Sequence, residues 1–256
     1  MASIENSFSQ IAHVYHRFNN EVVYQQWLAF SLRQLTHFPE NYLDLACGTG
    51  VFTRLMAPFA SRTVAIDYDP AMIKQAQQQS ADFDIDFRTL DMLKINELED
   101  NFDFITCYLD SLCFLHNEEQ LKQVFQRVYH KLNPGGIFLC DVWTAQQLVD
   151  MDGYYYFEAD ETAALLWDSK LLSENEPYQV QHQLTVFEQM KESDLYKRIP
   201  VILNETTYEL ETYRQMMSQA GFLPENIHIY ADFSEQEIKD ETDMESVERW
   251  FIKLVK

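Results

Sequence analysis

The chain has 256 residues, 46% hydrophobic and 14% aromatic, enough for one well-filled core with a small appended subdomain. Lys and Arg number 19 against 41 Asp and Glu, a formal net charge of −22 spread over both halves. A surface of that sign repels phosphates, and no cluster of Lys and Arg builds a local groove, so nucleic acid is not expected as a partner. Cys47, Cys107, Cys113 and Cys140 show no CxxC or His-spaced pattern, and three of them sit in or beside apolar runs. Reduced thiols, a cytoplasmic setting and no metal are the expectation. Residues 1–30 hold no signal-peptide core, and no apolar run approaches the ~18 residues of a membrane span.

Residues 4–17 and 20–37 read as two amphipathic helices broken at Asn19-Asn20. Tyr42–Ala46 is a short apolar strand running into Cys47-Gly48-Thr49-Gly50, and Thr49–Met56 is helical up to Pro58. Arg62–Asp67 is a second strand; Asp69 at the N-cap and Pro70 behind it start a helix to Gln79. Phe83–Phe87, Phe102–Cys107 and Gly136–Val142 follow as strands, with a helix over 117–131 before the last. This alternation predicts a parallel doubly wound α/β sheet.

After Val149 the pattern changes. Tyr178, Val180, His182, Leu184 and Val186 alternate with Gln179, Gln181, Gln183 and Thr185, a period of two. Residues 154–172 and 196–208 also read as extended, so 154–208 is predicted to be an antiparallel insertion, with Pro200 on an edge or end position. Glu209–Ala220 is a helix closed by Gly221, and Leu223–Tyr230 and Arg249–Val255 are the final strands. The acidic stretch 235–248 between them reads as a solvated turn or short helix.

Four of the six glycines fall in two turns, Gly48 with Gly50 and Gly135 with Gly136. A strand–Gly-x-Gly–helix turn exposes backbone N–H groups to whatever lies across the strand ends, and its plain alternative is a tight turn with no ligand. Asp67 ends the next strand, where a carboxylate can accept both hydroxyls of a ribose. Thr53 stands where a dinucleotide fingerprint has its third glycine, which weakens an NAD site but not one for a smaller adenosine ligand without pyrophosphate.

Leu43-Asp44-Leu45-Ala46-Cys47-Gly48-Thr49-Gly50 resembles the first motif of class I S-adenosylmethionine-dependent methyltransferases. Val64–Met72 is similar to the acidic second motif and Thr89-Leu90-Asp91-Met92 to the third. Phe102–Ile105 with Tyr108-Leu109-Asp110-Ser111 resembles the fourth, and Leu132-Asn133-Pro134-Gly135-Gly136 the fifth. Ala12–His16, Tyr24–Trp27, Leu109–Leu112 and the β-rich insert further resemble small bacterial methyltransferases of unassigned substrate near the sugar and glycine N-methyltransferases. His16 and Cys113 depart from that group's Asp and Asn.

The resemblance implies a mostly parallel, seven-stranded Rossmann-like sheet. Residues 1–38 would form N-terminal helices and 39–150 and 209–256 the cofactor-binding core; by its position after the fifth strand, 151–208 would be an acceptor lid or else a structural sheet or dimer contact. It implies S-adenosylmethionine as cofactor, held by Tyr15, Tyr24, Asp44, Ala46, Cys47, Gly48, Gly50, Asp67, Tyr68, Met72, Asp91, Met92 and Tyr108. Asp44 would order the glycine loop or merely cap the following helix. Met72 and Met92 would flank the adenine or fill core, and Trp27 is read as packing. Methyl transfer by SN2 displacement asks mainly for orientation in a dry pocket. Asp110 and His16 are the catalytic candidates, Asp110 equally a helix cap. Tyr154-Tyr155-Tyr156-Phe157 would line the acceptor pocket or pack on the sheet. The expected protein is an enzyme acting on a small molecule, monomeric or homodimeric and off the membrane. A tRNA methyltransferase and a non-catalytic cofactor-binding protein are the alternatives.

Overall fold

A computed structural model of the chain describes residues 10–12, 21–191, 193–238 and 247–256. Most of the first predicted helix, with Tyr15 and His16, and most of the acidic stretch lie outside the described residues. Seven strands form one sheet: β1 (Asn41–Leu45), β2 (Arg62–Asp67), β3 (Ile85–Thr89), β4 (Phe102–Cys107), β5 (Leu132–Trp143), β10 (Ile227–Ala231) and β11 (Arg249–Val255). Their order is β10-β11-β5-β4-β1-β2-β3, with the first five strands parallel and β11 antiparallel to both its neighbours. β1 and β4 are buried almost throughout because helices cover both faces of the sheet.

The helices are α1 (Glu21–Gln34), α2 (Val51–Met56), α3 (Pro70–Gln79), α4 (Glu118–Lys131), α5 (Ala145–Asp150) and α6 (Leu210–Ala220). Asp69 caps α3 by accepting the Ala71 N–H, with Pro70 behind it. Asn117 accepts from Gln120 to cap α4, whose first turn is acidic and whose last is basic, in line with the helix dipole. Gly221 at φ 116° closes α6.

Several elements differ from expectation, among them β10, which begins at Ile227 and not Leu223 because Pro224–Asn226 forms a turn, and α1, which ends at Gln34. β5 begins at Leu132, because the Asn133–Gly136 turn is absorbed as a bulge: Leu132 already pairs with Phe102, and the Gly135 N–H donates to the Lys256 carbonyl. β3 begins at Ile85, since the Phe83 N–H closes a turn onto the Ser80 carbonyl. The short helix α5 was not anticipated; Thr144 caps it by accepting the Gln147 N–H.

The insert is a second, antiparallel sheet in sequence order: β6 (Tyr155–Ala159), β7 (Ala163–Ser173), β8 (Tyr178–Gln189) and β9 (Tyr196–Thr207). Its period-two residues put Leu165, Leu184, Val186, Ile199, Val201 and Leu203 on one apolar face with Ile11 and, at its margin, Phe114. Pro200 sits on β9, an edge strand, where its missing N–H breaks no further ladder. Beyond the end of that face, Thr207 donates 2.6 Å to the Trp143 carbonyl and ties β9 to the end of β5. Among the described residues, no helix is long and apolar enough to cross a membrane.

Candidate functional site

Strand order reverses between β1 and β4, so the crevice beyond their carboxyl ends is where such a sheet binds ligands. The chain leaves β1 through Ala46 (φ 54°), Gly48 (φ 54°) and Gly50 (φ 76°), and leaves β4 through Leu109 (φ 57°) and Asp110 (φ 52°). Left-handed backbone at a non-glycine residue costs on the order of 1–3 kcal/mol, and such strain gathers at binding sites. Three of the four non-glycine residues with positive φ among the described residues stand on these two neighbouring strand ends.

The two glycines do different work. A Cβ on Gly50 would meet Phe87 at 3.1 Å and Ala76 at 3.2 Å, so Gly50 is needed for packing as well as for φ. A Cβ on Gly48 would meet nothing within 4 Å, which leaves the backbone there open to a ligand. The Gly48 N–H donates 2.9 Å to Asp67 Oδ2, and the Asp69 N–H donates 2.9 Å to Asp67 Oδ1. Asp67 is only 7% exposed, and burial pushes its carboxyl up to about 6 against the pull of those two N–H bonds.

Asp44 lies beneath this loop. Thr53 donates 2.5 Å to its Oδ2 and Thr106 donates 2.9 Å to its Oδ1, with Tyr42 donating in turn to Thr106 at 2.7 Å. The carboxylate therefore ties α2 to β1 and β4 through side chains and does not cap α2 by a backbone N–H, which removes the plain cap reading. Burial raises its carboxyl to about 7. Thr53, which replaces a third glycine, is thus the donor that completes a buried carboxylate.

Around the rim, Asp91 follows β3, half-buried, and accepts the Leu93 N–H at 2.8 Å. Met92 is half-buried beside it, and Tyr68, after Asp67, is 57% exposed. Ala46, Cys47, Gly48, Gly50, Asp67, Tyr68, Asp91 and Met92 therefore all follow or end β1–β3 at one sheet edge. The other candidates are placed in the core. Met72 is buried on α3; Tyr108 is buried edge-on to Phe52 with its hydroxyl 2.8 Å from that of Ser31. Tyr24 is buried beside Trp27, and Trp27 packs edge-on to Phe233, the packing role expected of it.

Of the two readings of Asp110, the helix cap is not met. It precedes the single turn Ser111–Phe114, yet its side chain makes no cap hydrogen bond. Its Oδ1 lies 2.6 Å from Arg249 Nη1, which also bonds Asp141 Oδ2 at 2.5 Å. The guanidinium stacks 3.4 Å over the Trp143 ring. Burial raises the Asp141 carboxyl to about 6 despite Arg249; burial would lower Arg249, but Asp110 and Asp141 together raise it. Sequence reading missed this group. The signal available was Asp141 itself, one acid inside the apolar run Ile137–Trp143, which a buried position obliges to find a partner.

The aromatic run Tyr154–Phe157 does not pack on the sheet. It lies before and along β6, the edge strand farthest from β9, and all four rings are exposed. They do not belong to the apolar face of the insert.

A switch-point crevice with an open glycine loop, a ribose-type carboxylate and no basic side chain among the rim residues suits a nucleoside ligand without phosphates. Residues 43–136 match the family described as a methyltransferase domain. A "Putative methyltransferase" of Geobacillus sp. (strain WCH70) is 29% identical over 252 residues, covering 96% of this chain and 98% of that protein. A solved S-adenosylmethionine-dependent methyltransferase from Clostridium acetobutylicum ATCC 824 aligns with TM-score 0.77 at 22% identity over 97% of this chain and 98% of its own. CalS10, an amino pentose methyltransferase from Micromonospora echinaspora solved with S-adenosylmethionine bound, aligns with TM-score 0.69 at 16% identity over 96% of each chain. Residues 43–136 thus match a methyltransferase domain, and the fold of the whole chain is that of the solved S-adenosylmethionine-dependent methyltransferases.

Proposed function

We propose that this chain is an S-adenosylmethionine-dependent methyltransferase acting on a small-molecule acceptor, with the cofactor seated across the β1–β4 switch point. The observation that carries the reading is the pair formed by Gly48 and Asp67: an open backbone turn whose N–H already holds the carboxylate in place. When bound, the cofactor supplies an electrophilic methyl group on a sulfonium. In this reading the backbone of Ala46, Cys47, Gly48 and Gly50 faces its methionine part, Asp67 accepts from the ribose, and Tyr68, Asp91 and Met92 border the adenine. Asp44 acts through Thr53 as a positioning residue. Asp110, held by Arg249, shapes the acceptor side and is not poised to take a proton.

A small acceptor is supported by the net charge of −22, which disfavours tRNA, and by the small-molecule acceptor of the amino pentose enzyme. The insert is read as the acceptor-side cover through the apolar face of β7–β9. Calorimetry tests the cofactor site. S-adenosylhomocysteine should bind and NAD should not, and tighter binding of NAD would overturn the reading. Bulk tRNA at low salt, where phosphate contacts are strongest, should give no complex; a salt-sensitive one would replace the small acceptor with RNA.

A further inference from the structure

A sheet edge is a row of unpaired N–H and C=O groups, and folded proteins cover it, charge it or interrupt it. The two sheets of this chain end in β10 and β3 and in β6 and β9. Three of these edges are closed. Along β10, Glu237 bridges Tyr230 and pairs with His228 at 3.1 Å, and the Ile238 N–H donates 2.8 Å to the Ile229 carbonyl. β3 carries Asp86 and Arg88, paired with each other at 2.5 Å. β9 carries Lys197, Arg198 and Pro200, and the Ser111–Phe114 turn packs against it.

The fourth edge is open. β6 lies outside β7, and no strand among the described residues pairs with its other side. It holds no proline, glycine or basic residue, and Glu158 is its one charge. Tyr154, Tyr155, Tyr156 and Phe157 are 48, 59, 38 and 56% exposed. Those fractions leave roughly 400 Å² of aromatic surface on four consecutive residues. That much apolar surface, on a chain of net charge −22, marks a contact surface.

The backbone and the charges say what fits there. The Asp160 N–H donates 2.9 Å to the Ala163 carbonyl, so by the alternation of an antiparallel ladder Tyr156 and Glu158 bond inward to β7. Tyr155, Phe157 and Ala159 therefore turn their N–H and C=O groups outward. A second copy of β6, antiparallel about a two-fold axis at Phe157, uses all of them. Phe157 then faces Phe157 of the partner subunit, and Tyr155 faces the partner's Ala159. Tyr156 faces the partner's Glu158, a pairing that already exists within the strand, where the Tyr156 hydroxyl donates 2.5 Å to Glu158. A register centred on Glu158 would set the two carboxylates against each other, and one centred on Tyr156 would leave Ala159 beyond the partner strand.

We propose that the outer edge of β6 is a homodimer surface, on which a second copy of this chain pairs antiparallel about Phe157 and joins the two inserts into one continuous sheet. The pairing buries roughly 800 Å² in total, below the standard size of a stable interface, so the dimer forms and dissociates with concentration.

Sedimentation velocity on the full chain, from about 1 to 200 μM in about 0.15 M salt, should show a monomer–dimer equilibrium in the micromolar range. Phe157→Pro removes an N–H that points away from β7 and so spares the inner ladder. Phe157→Lys sets two cations face to face at the axis. Each should weaken association at least roughly tenfold and keep the circular-dichroism spectrum of the wild type. The register has its own readout, since a directly opposed pair lies about 5.5 Å apart between Cα atoms, within disulfide reach. With oxidised glutathione, Phe157→Cys should give a disulfide-linked dimer, while Tyr155→Cys and the wild type should not. A chain that stays monomeric throughout the range, a dimer indifferent to both Phe157→Pro and Phe157→Lys, or cross-linking of Tyr155→Cys in preference to Phe157→Cys would each overturn the proposal.

Discussion

In the seven-stranded sheet the functional groups are largely backbone: left-handed turns after β1 and β4, an open glycine, and one carboxylate held by two N–H bonds. In the four-stranded sheet the gathered polar groups are side chains, and one corner carries a histidine, a serine, a tryptophan and a glutamate inside an otherwise apolar face. The first kind of site is preformed by strand ends and suits a ligand shared by many proteins. The second kind of cluster is built by tertiary contacts between distant segments. Arg249 joins the two, bonding Asp110 and Asp141 of the parallel sheet at the corner where the insert is tied down.

The largest expected effect falls on that junction. Arg249→Met leaves Asp141 buried without its cation and should cost about 3–5 kcal/mol of unfolding free energy, measured by urea denaturation at pH 7.5. The cost should shrink at pH 5. A carboxyl whose pKa is raised in the folded state binds its proton more readily there than in the unfolded chain. Its stabilising contribution is present at low pH and lost as pH rises through the folded value. Adding Asp141→Asn should restore part of the loss; a simple sum of two penalties would show that the groups are not coupled.

Next comes the cofactor side. Asp67→Ala should weaken S-adenosylhomocysteine by about 1.5–3 kcal/mol, the scale for hydrogen bonds to a charged group, and unchanged affinity would remove Asp67 from the site. In the wild type, affinity should fall as pH drops below about 6, where Asp67 takes a proton and stops accepting from hydroxyls. The same titration acts on the free protein with the opposite sign, since the contribution of Asp67 to stability is present below its unfolded value and lost as pH rises through about 6. Calorimetry and thermal melts over pH 5–8 should therefore diverge for the wild type and lose that divergence in Asp67→Asn.

Beneath the loop, Thr53→Val removes the donor to Asp44 Oδ2 and should cost about 1–3 kcal/mol of stability. Thr53→Ser should keep most of it. This variant also probes why the sequence showed so much of one sheet. Each strand end of the parallel sheet is marked locally, by Gly48 and Gly50, by Asp67, or by Asp69 before Pro70, and each mark has a backbone reason that acts within a few residues. The bonds from Thr53 and Thr106 to Asp44 already span 9 and 62 residues, and Arg249 reaches Asp141 across 108. No local pattern names such partners. The insert shows the same divide: period two placed His182 on the inward face, but nothing near it pointed to Glu205. That Tyr154–Phe157 would stay exposed was not legible either, because aromatic content alone does not say which strand is an edge.

The smallest effects should come from that edge. Tyr154 and Tyr156 are each well exposed, so truncation gives up little buried area, and the bond from Tyr156 to Glu158 is itself at the surface. Tyr154→Ala and Tyr156→Ala should each shift stability by no more than about 0.5 kcal/mol. Both variants should also leave S-adenosylhomocysteine affinity and methyl transfer unchanged. The contrast with Glu205→Gln is the sharper measurement, because both changes lie in the same small sheet. Glu205 is buried and Tyr156 is not, so the inward change should shift stability by more than the outward one. A loss of turnover in Tyr156→Ala with the cofactor still bound would move acceptor recognition to the outer edge of the insert, and the apolar face of β7–β9 would lose its place as the acceptor-side cover.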